Sequence, residues 1–199
     1  MQVFPLPEEA PLSSTQRWAS FVAILVAALG LALGFLFKSQ IVGATTPYRD
    51  LTAGILARYP SEWLLDTAGD YVFRVRDPTA PGFATLLQVA VEAVGADADA
   101  RNILDNLTLE RAQSLAAYSV LRTLPDFRLP DGDVATRLEY VYVQTEDNPF
   151  LQSLPVVVYG VDIVTIQRGQ AIIITFRVEA SRFDEEVWRL DQFLATLQF

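Results

Sequence analysis

Acidic side chains are the residues in this sequence best able to do chemistry, and they fall in short groups: Asp97 with Asp99, Asp126 with Asp131 and Asp133, Glu146 with Asp147, and Asp184 with Glu185 and Glu186. Such groups could hold calcium, which takes six to eight oxygen ligands, or pair across a cleft as the acid and base of a hydrolase. The calcium loop D-x-D-x-D-G with a glutamate at its twelfth position is absent. Turns and helix starts, where a short carboxylate bonds nearby backbone N–H groups, account for these placements instead. Asp162 and Glu139 stand apart, each inside an apolar run. On alternating strands both are expected to face solvent rather than to be perturbed acids.

The chain has no histidine and no cysteine. That removes the commonest general base and metal ligand, thiolate nucleophiles, disulfides, thiolate metal sites and an acylated lipobox cysteine. There is no glycine-rich phosphate loop, and the glycosylation triplet Asn106-Leu-Thr108 falls in a predicted helix and is discounted. Trp63, Trp188, Tyr71, Tyr140 and Tyr142 could frame an aromatic pocket, with core packing as the default. The expectation is a binding or scaffolding protein rather than an enzyme, with no metal and no cofactor.

Charge points the same way. Setting aside Glu8, Glu9, Arg17, Lys38 and Arg49 leaves 22 acidic and 12 basic residues from position 50 onward. So acidic a domain repels nucleic acid and does not adsorb flat onto anionic lipid. Of the 15 basic residues all but Lys38 are arginine, a skew read as base composition.

The element that decides where the protein works is Trp18–Phe37, 20 consecutive residues without a charge. At helical rise it spans roughly 30 Å, the hydrocarbon thickness of a bilayer. Arg17 and Lys38 bracket it, and Trp18 sits at a belt position. Ala23, Ala27, Gly30 and Gly34 recur at steps of four, three and four, which places them on one helical face that a partner helix could approach closely. The alternative is that small residues are simply common in spans. Residues 1–17, with three prolines, read as a flexible tail. The Val42-Gly43-Ala44 sequence resembles a signal cleavage site, although the apolar run is too long and its flank too acidic for a secretory signal. An uncleaved signal anchor fits better.

Residues 38–57 read as a linker followed by a short amphipathic run weakened by Gly54. The domain then occupies 58–199, a common size for one core. Strands are expected at 71–76, 85–93, 136–144, 156–167 and 171–178, with Phe73 and Val75 opposing Arg74 and Arg76, and with Ile172, Ile174, Phe176 and Val178 on one face. Gln167-Arg-Gly-Gln170 reads as a hairpin turn. One helix is expected over 97–118, opened by Asp97 and Asp99. A second begins at an S-x-x-D box, Ser181 to Asp184, and carries the stripe Phe183, Val187, Leu190, Leu194 and Leu197. The class is α+β: a mostly antiparallel sheet sandwiched with helices, preceded by one transmembrane helix.

From about Arg58 to Phe199 the sequence resembles the PsbP family. The resemblance rests on Tyr59-Pro60-Ser61-Glu62-Trp63 at the opening strand, followed by a strand such as 71–76, on the Asp131-Gly132 turn before an aromatic strand ending Leu138-Glu139-Tyr140, and on a closing helix ending Leu197-Gln198-Phe199. It implies an α/β sandwich with no established enzymatic activity that binds or stabilises a membrane protein complex; the expectation here is an integral membrane complex, photosynthetic or respiratory. The family is best known from extrinsic proteins of the oxygen-evolving photosystem and their bacterial relatives. The chain departs from the plant proteins in its anchor and in lacking the histidines by which some relatives could hold metal. The alternative is a membrane-tethered domain that binds a lipid or small ligand between sheet and helix. One flanking cation before the span (Arg17) against two after it (Lys38 and Arg49) leans toward a cytoplasmic C-terminus. A long domain translocates largely regardless of so small a bias, and PsbP-like domains work outside the cytoplasm by resemblance, so the domain is expected on the extracytoplasmic side.

Overall fold

The computed structural model describes residues 14–80, 82–95, 97–145 and 154–199. Most of the proposed tail, and the Glu146/Asp147 pair, lie outside them. The chain divides into two compact units between Ala44 and Thr45.

The first unit contains α1, Ser14–Val42. Every residue of its apolar stretch Trp18–Phe37 is exposed, and this helix is long and apolar enough to cross a membrane. It is longer at both ends than the sequence reading, so residues 14–17 are helical rather than part of a tail.

In the second unit the stretch read as linker and amphipathic run is a hairpin: β1, Thr45–Asp50, pairs antiparallel with β2, Ile55–Pro60. Ile55, Ala57 and Tyr59 alternate inward while Leu56 and Arg58 are exposed, a period of two that the mixed composition concealed. Then follow β3 (Leu64–Asp66), β4 (Phe73–Arg76), β5 (Leu86–Ala93), α2 (Ala100–Ser114), β6 (Ala116–Arg128), β7 (Val134–Gln144), β8 (Val156–Gln167), β9 (Gln170–Glu179), a 3-10 turn (Ala180–Arg182) and α3 (Phe183–Leu194). Among the described residues, seven strands form one sheet in the order β3-β4-β5-β9-β8-β7-β6, with every neighbouring pair antiparallel.

The strands expected from alternation are present, with ends shifted by up to two residues and β8 as read. The β8–β9 turn places both Arg168 (φ 53°) and Gly169 (φ 76°) in the left-handed region, as a two-residue hairpin of matching twist requires. The expected helix over 97–118 is shorter. Asp99 caps it by accepting from the Arg101 N–H, and it ends at Ser114. Its last predicted residues belong to β6, a long edge strand with register shifts. The S-x-x-D box is not formed. The 3-10 turn delays the helix to Phe183, Ser181 bonds Glu179 instead, and no side chain caps the start.

Both faces of the sheet are covered. One packs against the β1–β2 hairpin and α3: Phe73, Val75, Leu87, Val89, Ile163, Ile174 and Phe176 meet Ile55, Leu190, Phe193 and Leu197 in one apolar cluster. Leu56 and Gln198 exchange backbone bonds of 2.9 and 2.8 Å, which tie the C-terminal segment to the hairpin. The other face carries α2, where Leu104 packs with Ala90, Leu138, Tyr140, Tyr142, Val158, Val164 and Ile173. The result is an α+β sandwich.

Candidate functional site

On the face under α2, a polar row crosses four strands. Arg74 lies opposite Gln88, Gln88 opposite Thr175, and Thr175 opposite Asp162. Because side chains alternate along each strand and register is fixed across them, all four share one face. The Gln88 carboxamide oxygen accepts from Arg74 Nε at 2.9 Å and Nη2 at 2.8 Å, and the Thr175 hydroxyl donates to Asp162 Oδ1 at 2.8 Å. Arg111, from the last turn of α2, descends onto this row and forms an ion pair with Asp162, whose side chain is fully buried. One step along β9, Arg177 donates from Nε to the Tyr140 hydroxyl at 3.1 Å. The guanidinium carbons of Arg111 and Arg177 lie 4.9 Å from the Tyr140 ring and 5.6 Å from the Tyr142 ring, respectively, within cation–π range.

Above the row is a groove of about 350 Å³ between α2 and strands β4, β5 and β9. Arg74, Arg111, Arg177, Gln88 and Thr175 line its floor, and the exposed carboxylates Asp70, Glu92 and Glu110 also line it. Burial pulls Arg111 below the ordinary arginine value. Burial also works against the charge of Arg177, but the neighbouring Tyr140 and Tyr142 phenols more than offset it. Guanidinium groups do not give up their proton in proteins, so both remain donors and not acid–base groups. The arrangement is suited to holding an acceptor. No three carboxylates converge on a metal-sized site among the described residues.

Two further charged clusters lie elsewhere. Glu139, 3% exposed, accepts from Arg122 at 2.8 and 2.9 Å and from the Tyr159 hydroxyl at 2.7 Å, and pairs with Arg137 at 2.9 Å. Burial pushes this carboxyl up, but the hydrogen bonds from Arg122 and Tyr159 and the charges of Arg137 and Arg122 prevail, so it sits below the usual glutamate range. Burial and then the bond to Glu139 push the Tyr159 phenol up to about 12. On α3, buried Glu186 lies between Arg182 and Arg189, and Arg189 stands 5.5 Å from the Trp63 ring.

Asp162 and Glu139 therefore do not face solvent. Alternation identifies the side of the strand a residue occupies but not whether that side is covered. Here Asp162 lies under α2, and Glu139 lies on the opposite face with Tyr159, whose ring packs against Phe183. Of the acidic groups singled out in sequence, Asp97, Asp131 and Asp133 lie in turns, Asp99 caps α2 and Asp184 and Glu185 open α3, whereas Asp126 lies within β6 and Glu186 is buried. The aromatic set divides between the two faces: Tyr140 and Tyr142 join the α2-side core with Tyr71 packed against it, Trp63 joins the α3-side core, and Trp188 is exposed. In the Tyr59-Pro60-x-x-Trp63 segment, Tyr59 and Trp63 are buried and the Trp63 N–H donates to the Pro60 carbonyl at 3.1 Å. Ala23, Ala27, Gly30 and Gly34 lie exposed on α1, and nothing stands within 4 Å of a Cβ added at either glycine.

Sequence reading missed Arg74, Arg111, Arg177, Gln88 and Thr175 as a group. A signal was present in β9, where Ala171-Ile172-Ile173-Ile174 is continuously apolar rather than alternating, the mark of a strand covered on both faces.

No protein-family model matches the chain, and no curated protein matches it in sequence. Solved structures do match. The chain is similar to CyanoP, the cyanobacterial PsbP of Synechocystis, at 18% identity over 79% of this chain and 93% of that one, with a TM-score of 0.57. It is also similar to LpqN of Mycobacterium tuberculosis, a protein involved in cell envelope biogenesis, at 10% identity over 78% and 90% of the two chains, with a TM-score of 0.50. The fold of this domain is PsbP-like.

Proposed function

We infer that this chain is a non-catalytic, single-pass accessory subunit that binds or stabilises an integral membrane protein complex, photosynthetic or respiratory, with its domain on the extracytoplasmic side. The observation that carries this reading is α1, whose apolar residues Trp18–Phe37 are all exposed. A patch of that size is unfavourable in water and calls for lipid, a partner helix, or both. Ala23, Ala27, Gly30 and Gly34 supply a face on which a second helix backbone can pack closely. The PsbP-like fold supports an accessory or binding role for the domain. Native electrophoresis of gently solubilised membranes tests the proposal: co-migration with a large complex is expected, and migration only as a free monomer overturns it.

The groove under α2 favours a second reading, a tethered domain that binds a small ligand. Its charged floor argues for a polar ligand over a lipid tail. Mass spectrometry of the intact, gently extracted protein decides this by the presence or absence of a bound molecule.

A further inference from the structure

We propose that the groove between α2 and the sheet binds an oxyanion, a phosphate or carboxylate group of a small molecule, with Arg177 and Arg74 as its principal donors. The proposal deepens the small-ligand reading and rests on it.

The charges on the floor do not balance. Asp162, the buried carboxylate of this face, is taken by Arg111 and Thr175. Arg177 has no carboxylate within ion-pair distance among the described residues, and its Nε donates to the neutral Tyr140 hydroxyl. Arg74 likewise spends Nε and Nη2 on the neutral Gln88 carboxamide and stacks 4.2 Å from the Tyr71 ring, and Asp66, opposite it on β3, feels its charge but forms no ion pair with it. A guanidinium has five N–H donors in a planar fork that matches the oxygens of a carboxylate or phosphate. Two such groups, partly removed from water beside a third and without a directly paired carboxylate, are arranged to receive one. Tyr140 and Tyr142 hold Arg177 from below and Gln88 holds Arg74, so little side-chain freedom is left to lose on binding.

The carboxylates explain what the groove would exclude. Asp70, Glu92 and Glu110 are exposed where they line it. They repel a large polyanion such as nucleic acid while being too well solvated to neutralise the floor. The volume falls in the range of small-molecule sites.

The test uses the full chain in a neutral detergent, titrated with inorganic phosphate against sodium chloride at equal ionic strength. Phosphate is expected to raise Tm by about 2–4 °C at saturation, as a ligand that binds only the folded state does, whereas chloride does not. Arg177→Gln should weaken phosphate binding in calorimetry at least tenfold. Arg74→Gln should do so several-fold, and serves if the first variant does not fold. The source is distinguished in nanodiscs. If phosphatidylglycerol, but not phosphatidylcholine, abolishes the phosphate response, the oxyanion is a lipid headgroup; if neither does, it is a soluble molecule. Equal responses to phosphate and chloride, or full phosphate binding by a folded Arg177→Gln or Arg74→Gln protein, overturn the proposal. Finding a neutral or cationic molecule bound in intact mass spectrometry also overturns it, yet leaves the small-ligand reading standing.

Discussion

Tyr140 lies directly opposite Gly160 in the β7–β8 pairing, and its ring lies over the glycine so closely that a Cβ there would come within 2.2 Å of the ring carbon Cζ. The fully buried tyrosine takes the volume that a side chain on β8 would otherwise fill. This covering of a strand glycine by an aromatic offsets the weak strand propensity of glycine.

Gly160→Ala should therefore destabilise the domain by about 1–3 kcal/mol through overpacking. Adding Tyr140→Ala should cost less in that background than in the wild type, because the clash has gone. Denaturation of the full chain followed by tryptophan fluorescence checks both; strict additivity would mean the two residues do not compete for space.

Asp162 and Arg111 give a sharper contrast. Asp162→Asn leaves a nearly buried guanidinium without its counter-charge and should cost about 3–5 kcal/mol. The triple change Arg111→Met, Asp162→Leu and Thr175→Val removes both desolvation penalties and leaves no orphaned hydroxyl, and should fall within about 1 kcal/mol of wild type. The same unfolding assay separates the two cases.

Glu139 sets an acid limit. Its folded pKa lies below the unfolded value, so the folded state binds fewer protons and the stability it contributes is present above about pH 4.3 and is lost as pH falls through the folded pKa. Stability of the wild type should drop more steeply below that pH than stability of Glu139→Gln. Tyr159 acts at the other end. Its raised pKa means that its contribution holds below about pH 10 and is lost as pH rises through the folded value of about 12. Phenolate absorbance should show Tyr159 among the late-titrating tyrosines in the wild type and titrating earlier in Glu139→Gln.

Replacing Gly30 and Gly34 by leucine should loosen association with the partner complex, since the new side chains hold a neighbouring helix away. Within the chain there is open space at both positions, so folding should not change. Unchanged co-purification with the same partner would count against a docking role for this face.

For sidedness, protease added to intact spheroplasts should digest the domain of a C-terminally tagged chain. Protection until lysis would place it in the cytoplasm, as the flanking-charge count alone suggests.

Legibility in the sequence followed the strength of the local pattern. The β8–β9 hairpin was readable because a long apolar run, a glycine turn and a second apolar run admit few other structures. Strand β6 was not, since its residues are mostly exposed, its register shifts break the period of two, and Pro125 sits inside it. It therefore read partly as a continuation of α2. The β1–β2 hairpin was hidden for a similar reason, with Pro47 inside one strand and the turn at Gly54 reading as a helix weakness. The polar row under α2 was least legible of all. Arg74, Gln88, Thr175 and Asp162 are scattered in sequence, and only strand order brings them together.

That strand order also bears on how the protein is made. β9, last of the strands to be synthesised, is the fourth of seven in space and joins β5 to β8, with Val89 paired to Ile174 on one side and Ile163 to Ile174 on the other. Until residues 170–179 leave the ribosome the sheet can exist only as two separate blocks, β3–β5 and β6–β8, each lacking its central neighbour. Contacts so distant along the chain form slowly, and the closing strand is available only near the end of translation. The nascent domain thus lacks the strand that joins its two halves until long after α1 has been synthesised.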